Sequence, residues 1–226
     1  MLTQIQDSLW TVTSPLTVLG FIQLNTRMTI IRLQTGKLFL HSPVPWSAEL
    51  QQAVEQIGEV GFIVAPSCFH HMFVGGWHEN NPTAQICAPK GLIKKREDLQ
   101  IEHVLQSNVD LWDEIQIIPI KGMPIVQEHL FFHKPSQTLI VTDLFFYLPH
   151  STGFTSFYAW VNGVKSTVNT PILFKTAIKD KASFLDSLQI LRSLQVNTLS
   201  LCHHEVITNN VDTLITQALD TLKVPS

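Results

Sequence analysis

The sequence predicts an α/β fold in which sheets are covered by helices, and three observations predict it. Apolar runs of strand length recur along the chain, helical spacings of apolar residues lie between them, and no linker or repeat divides the order. Four of the runs also end alike. Leu38-Phe39-Leu40 ends at His41, and the run Val60 to Ala65 leads through Pro66-Ser67 to Cys68 and His70-His71. Leu139-Ile140-Val141-Thr142 ends at Asp143, and Leu199-Ser200-Leu201-Cys202 ends at His203-His204. Side chains at the C-terminal ends of strands are where α/β proteins place their chemistry.

Taken in order, Met28–Leu33 and Leu38–His41 read as a hairpin around Gly36, stopped by Pro43 and Pro45. Ser47 caps a helix to about Ile57, with Leu50, Val54 and Ile57 on one face and Gly58 as its stop. Val60–Ala65 is apolar without alternation, as a strand covered on both faces should be. A polar loop carrying Gly75-Gly76 follows. Next come a strand near Ala84–Ala88, a helix through Leu92–Arg96, a strand near Ile101–Leu105, and an edge strand from Ile115 containing Pro119. Glu128–Phe132 and Thr138–Thr142 form a second hairpin. Phe154, Phe157, Tyr158 and Val161 have helical spacing, so Gly153–Val161 reads as a helix packed on the core by its aromatic residues. Pro171 opens a further helical stretch, and Phe184, Leu188, Leu191 and Leu194 mark another. The strand Thr198–Leu201 and a helix over Val211–Leu222 close a chain read as one domain, residues 1–226.

Composition narrows the function. The chain has 226 residues, 15 Lys plus Arg and 18 Asp plus Glu, a net charge of −3. The basic cluster Lys94-Lys95-Arg96 is followed at once by Glu97-Asp98, which marks a solvated helix face and not a nucleic-acid stripe. No apolar run approaches the roughly 18 residues of a membrane span, and no secretion signal is evident at Met1–Asp7. Cys68, Cys87 and Cys202 are sparse and lack CxxC spacing, so a reducing, cytoplasmic setting is expected. The oily composition leaves a homodimer open.

His41, His70, Asp143 and His203 are the strand-end residues expected to converge. Imidazole and carboxylate suit Zn, Mn or Fe, and an open position on such an ion ionises water for hydrolysis. The same residues equally suit a hydrogen-bonded polar cluster with no metal. His133 sits beside the second hairpin's turn, roughly 16 Å along the strand from Asp143, and is expected to be structural. His78, His103, His129 and His150 are expected at the surface or as caps. The aromatic residues after Asp143 are candidates for a pocket wall. Cys68 beside His70 lacks the glycine-framed elbow of a nucleophile, and no G-x-G-x-x-G or Walker A pattern is present.

The segment Pro66–Gly76 resembles the signature loop of the metallo-β-lactamase superfamily, where a strand ends in His-x-His-x-Asp-His before a glycine. In register with Gly75-Gly76, Cys68 stands at the first His, His70 at the second, Met72 at the Asp and Phe73 at the last His. Gly122-Met123 looks like the superfamily's Gly-His step without its His. Asp143 matches the bridging Asp, His203 the final His, and His41 the early strand-end Asp. The similarity runs from about residue 27 to 220. It is closest to a divergent branch sharing the "HSPV" strand end and the "FFHKPSQTLIVTD" hairpin.

The resemblance implies a four-layer αββα sandwich with the site on the edge between two sheets. It also implies a degenerate site, since too few ligands remain for two ions. Two alternatives follow. One is a single divalent ion (Zn, Mn or Fe) held by His70, Asp143 and His203 and completed by His71, His41 or Cys68, acting on an unknown small molecule. His71 or His204 would then carry protons. The other is a metal-free protein that binds a ligand or partner.

Overall fold

The computed structural model describes residues 1–106 and 112–224. Two mixed sheets form its centre. The first runs in the order β1 (Thr3–Gln6), β2 (Leu9–Val18), β3 (Ile22–Arg32), β4 (Leu38–His41), β5 (Val60–Val64), β6 (Gln85–Ala88) and β7 (His103–Val104). β1 to β4 are antiparallel, and β4 to β7 are parallel. The second sheet contains β8 (Ile115–Pro119), β9 (His129–His133), β10 (Thr138–Val141), β11 (Thr198–Leu201) and β12 (Val206–Ile207). Its spatial order is β12-β11-β10-β9-β8, with β10 and β11 parallel. Pro119 lies on the edge strand β8, where a missing N–H costs no ladder bond.

The four layers follow from strand period. In β4, Leu38 and Leu40 face the helix side of the first sheet, while Phe39 faces the second sheet. In β9, Leu130 and Phe132 face outward to helices, and Phe131 faces inward to meet Phe39 with ring centroids 5.5 Å apart. β10 repeats the pattern with Leu139 and Val141 outward and Ile140 inward. Continuous apolar runs are therefore needed, because both faces of each strand are buried. Each such side chain stabilises the fold by about 1.5–3 kcal/mol.

The outer layers are helical. α1 (Ala48–Glu55), α2 (Val74–Asn80) and α3 (Lys90–Lys95) supply Val54, Trp77 and Leu92 to the first sheet's outer core. Ser47 caps α1 by accepting from the Leu50 N–H at 3.2 Å. α4 (Gly153–Val161) and the single turn α5 (Ile172–Lys175) follow β10. α6 (Lys181–Leu188), continued by a 3-10 turn over Gln189–Arg192, and α7 (Val211–Leu222) cover the second sheet through Phe184, Leu191 and Ile215. Among the described residues no helix is long and apolar enough to cross a membrane.

Two local expectations are corrected, and the segment before Met28, for which the sequence carries no expectation, is ordered: β1, β2 and the first half of β3 form a long ribbon. Its alternation is masked by Thr, Ser and Pro15 at positions open to solvent. Gly75-Gly76 do not sit in a loop but in the first turn of α2, where tertiary packing of Val74 and Trp77 outweighs glycine's poor helix propensity. The aromatic face of α4 is not core: Phe154, Phe157 and Trp160 are exposed, and Thr155 and Ala159 face inward. Small residues there let α4 lie close on β3, where Thr155 Oγ1 accepts from the Gln23 N–H at 2.9 Å.

Gly122 seats the start of α6. Its φ is +75°, and its carbonyl accepts from the N–H groups of Lys179 and Asp180 at 2.8 and 3.2 Å. A Cβ at this position would lie 2.1 Å from the Asp180 carbonyl oxygen. Gly122→Ala is therefore expected to lower stability by at least about 2 kcal/mol in urea unfolding, through strain and backbone overlap.

Candidate metal centre

The C-terminal ends of β5, β10 and β11 meet at one edge between the sheets. Beyond β5, the buried Ser67 hydroxyl accepts from the N–H groups of Phe69 and His70, both at 3.2 Å, which fixes the turn. The Pro66 carbonyl accepts from the His129 N–H, and the Cys68 N–H donates to the Val126 carbonyl, both at 2.8 Å. These bonds tie the loop of the first sheet to the second and bring His70 against Asp143 and His203.

Asp143 Oδ2 lies 3.3 Å from His70 Nε2, and Asp143 Oδ1 lies 3.4 Å from His203 Nε2. The other nitrogen of each ring is held from behind. His203 Nδ1 donates to the Asn25 carbonyl at 2.8 Å, and His70 Nδ1 lies 2.9 Å from Ser42 Oγ. Both imidazoles thus turn Nε2 toward the carboxylate, the arrangement in which outer hydrogen bonds orient metal-binding histidines. Cys202 Sγ sits on the far side of His70, 3.6 Å from Nδ1, in contact with Thr26 Oγ1 and the Arg27 N–H at 3.4 Å each. His70, Cys202 and His203 form a group whose ligand atoms lie within 4.8 Å of one another. By its donor count this reduced cluster could hold one metal ion.

Burial and charge oppose each other throughout the cluster. Burial works against the Asp143 carboxylate, but His70 and His203 outweigh it and hold the pKa well below the usual carboxylate range. Burial also works against a charged His70, yet Cys202 and Asp143 raise its pKa well above that of a free imidazole. His203 is raised in the same way. For Cys202, burial is outweighed by His70 and His203, which bring the thiol down to about 5.

Glu128 holds the carboxylate in place. Fully buried, its Oε1 accepts from the Thr142 N–H at 3.0 Å, the Thr142 hydroxyl at 2.7 Å and the Asp143 N–H at 3.0 Å. Glu128, Ser42, Asn25 and Cys202 were outside the expected site. Cys202, directly before His203 at a strand end, was visible in sequence. Glu128 lies 15 residues from Asp143 and became relevant only when β9 paired with β10.

The remaining expected residues fall elsewhere. Cys68 packs toward Gly91, where an added Cβ would stand 2.7 Å from its sulfur, and burial raises its pKa. His71 pairs its Nδ1 with Arg96 at 3.0 Å, and burial with the nearby Lys95 and Arg96 lowers its pKa to about 4. His204 packs edge-on against Tyr147 with centroids 4.8 Å apart, and burial lowers its pKa to about 4. Neither ring lines the cleft above the cluster. His41 is buried edge-on to Phe131, its Nε2 without a partner, and it stands outside the His70–Cys202–His203 group. His133 bonds Ser136 Oγ at 2.7 Å within its own hairpin, and His129 is buried against the Gln127 carbonyl and not at the surface.

A cleft of about 660 Å³ opens over the cluster. Of the aromatic residues after Asp143, Phe146 and Tyr158 line it. Met72 and Phe73, which occupy the positions of two ligands in the resemblance, line it as well, whereas Met123 is buried in the second sheet's outer core.

The whole chain is similar in structure to known proteins. A metallo-beta-lactamase from Pontibacter korlensis superposes with a TM-score of 0.69 at 13% identity, covering 100% of this chain and 99% of that one. The metallo-beta-lactamase FIM-1 from Pseudomonas aeruginosa, solved in a mono-zinc form, gives 0.66 at 12% identity over 100% and 96%. A fragment of a Nostoc protein described as a diflavin flavoprotein gives 0.67 at 12% identity over 99% and 96%. Residues 6–92 match the family described as a domain of unknown function (DUF4336). No curated protein matches the chain in sequence. The protein has the metallo-β-lactamase αββα fold with a reduced metal-binding cluster. A lactamase and a flavoprotein share that fold, so the chemistry has to be argued from the site.

Proposed function

We propose that this protein is a hydrolase that uses one divalent ion held by His70, His203 and Asp143. The observation that carries the reading is that both imidazoles aim Nε2 at one carboxylate, His70 Nε2 lying 3.3 Å from Asp143 Oδ2 and His203 Nε2 3.4 Å from Asp143 Oδ1, close to the roughly 3.3 Å between neighbouring ligands of a tetrahedral ion. Asp143 Oδ2 is buried and meets only the His70 ring at 3.3 Å without a geometrically formed hydrogen bond, a need that a cation would satisfy. Cys202 shares both imidazoles, but its sulfur is already engaged by the Thr26 hydroxyl and the Arg27 backbone.

A bound Zn, Mn or Fe ion would polarise a substrate carbonyl and lower the pKa of water. The chain's own part is orientation and exclusion. Ser42 and Asn25 fix the two rings, Glu128 fixes Asp143, and the cleft walls shield the reacting carbonyl from bulk water. In the reaction, water adds to the carbonyl carbon, the bond to the leaving heteroatom breaks, and the leaving group takes up a proton. A cytoplasmic location fits three buried, unpaired cysteines.

Metal analysis of purified protein tests the reading. Wild type is expected to hold about one ion per chain. Asp143→Ala is expected to weaken binding by more than about a hundredfold, and Cys202→Ser by much less. Protein free of metal after growth and purification with excess Zn, Mn and Fe would overturn it and leave a ligand-binding protein.

A further inference from the structure

The cleft has a polarity gradient. Its floor carries His70, Asp143 and His203, and everything above is apolar or uncharged. One wall is the overhanging end of the β2–β3 ribbon, with Leu16 and Leu24. The opposite wall is α5 and the turn after it, with Leu173 and Phe174. No Lys or Arg is among the described residues that line it. Above the floor, a charged ligand group would therefore meet no oppositely charged side chain among the described lining residues.

The mouth is apolar too. Met72 on the His-loop side and Leu173 on the α5 side are each more than half exposed, yet both line the cleft. Solvent-facing apolar side chains at a cleft rim are what an apolar ligand covers on binding. The volume of about 660 Å³ lies within the range of pockets for ligands of drug size.

We propose that the cleft takes a neutral, mainly apolar carbonyl compound, an acyl chain ending in one uncharged ester or amide. The carbonyl lies at His70 and His203, and the chain lies between the β2–β3 ribbon and α5. The assignment rests on the hydrolytic reading for the position of the carbonyl, and on the walls alone for the chain.

Calorimetric titration separates the two. Methyl butanoate, methyl hexanoate and methyl octanoate are titrated into wild-type protein, before and after zinc loading, with octanoate as the anionic counterpart. Turnover is followed separately by release of methanol. Affinity is expected to rise about fourfold per added methylene, as burial of apolar surface requires. Octanoate is expected to bind at least tenfold more weakly than its methyl ester to the zinc-free protein. Leu173→Glu and Met72→Glu, on different sides of the mouth and both solvent-exposed, are each expected to weaken methyl octanoate binding at least tenfold. No dependence on chain length, or equal binding of octanoate to the zinc-free protein, overturns the ligand class even if short esters are hydrolysed. Binding with the expected chain dependence but no methanol release keeps the ligand class and overturns the hydrolytic reading.

Discussion

Glu128→Ala is expected to lower stability by about 4 kcal/mol, the cost of leaving two backbone N–H groups and one hydroxyl unpaired in a buried site. For a chain of this size the melting temperature should fall by about 10 °C. Metal binding should fall with it, because the Asp143 N–H loses the bond that sets the carboxylate. Glu128→Gln keeps the accepting oxygen and serves as the companion variant. Burial, then repulsion by Asp143, push the Glu128 carboxyl up to about 7. Its folded pKa is therefore raised, so the stability of the protonated form is complete below the unfolded value near 4.5 and is lost as pH rises through about 7. Glu128→Gln should accordingly gain on wild type as pH is raised from 5 to 8. Urea unfolding at both pH values measures the crossover, and an unchanged difference would refute the assignment.

His41→Gln is expected to remove much of the protein's acid sensitivity. Burial, with the nearby His70 charge, lowers the His41 pKa to about 3, and its Nε2 has no partner. A depressed imidazole stays neutral in the folded state while the unfolded chain takes up a proton below about 6.5. Stability is therefore lost progressively as pH falls from about 6.5 toward 3. At pH 4 the difference amounts to about 3 kcal/mol, at 1.36 kcal/mol per unit. The variant and wild type should be similar at pH 7 and separate in acid, which thermal melts across pH 7 to 4 would show. Parallel loss in both proteins would mean that His41 is protonated in the fold. Metal-free protein is needed for this comparison, since ion binding at the neighbouring cluster adds its own pH dependence.

The sandwich was legible because its strands bury both faces. Runs such as Leu38-Phe39-Leu40 and Leu139-Ile140-Val141 must be apolar throughout to fill an outer and an inner core at once. The β2–β3 ribbon was not legible, since it overhangs the sandwich and solvent permits Thr, Ser and Pro15 there. α4 misled for the opposite reason: helical spacing of Phe154, Phe157 and Val161 reports a face but not which side of it is covered.

The sequence by itself determined which side chains stand at strand ends, and His70, Asp143 and His203 do meet at one edge. Strand order carries that much, because parallel neighbours deliver their C-terminal residues to a common rim. Only the tertiary structure decided what surrounds them. It placed Cys202 and not Cys68 in the cluster, turned His71 to Arg96 and His204 to Tyr147, and set Glu128 behind Asp143. The physical reason is that a strand end fixes where a residue lies. The rotation of its side chain is settled by packing and hydrogen bonds from segments far away in the chain.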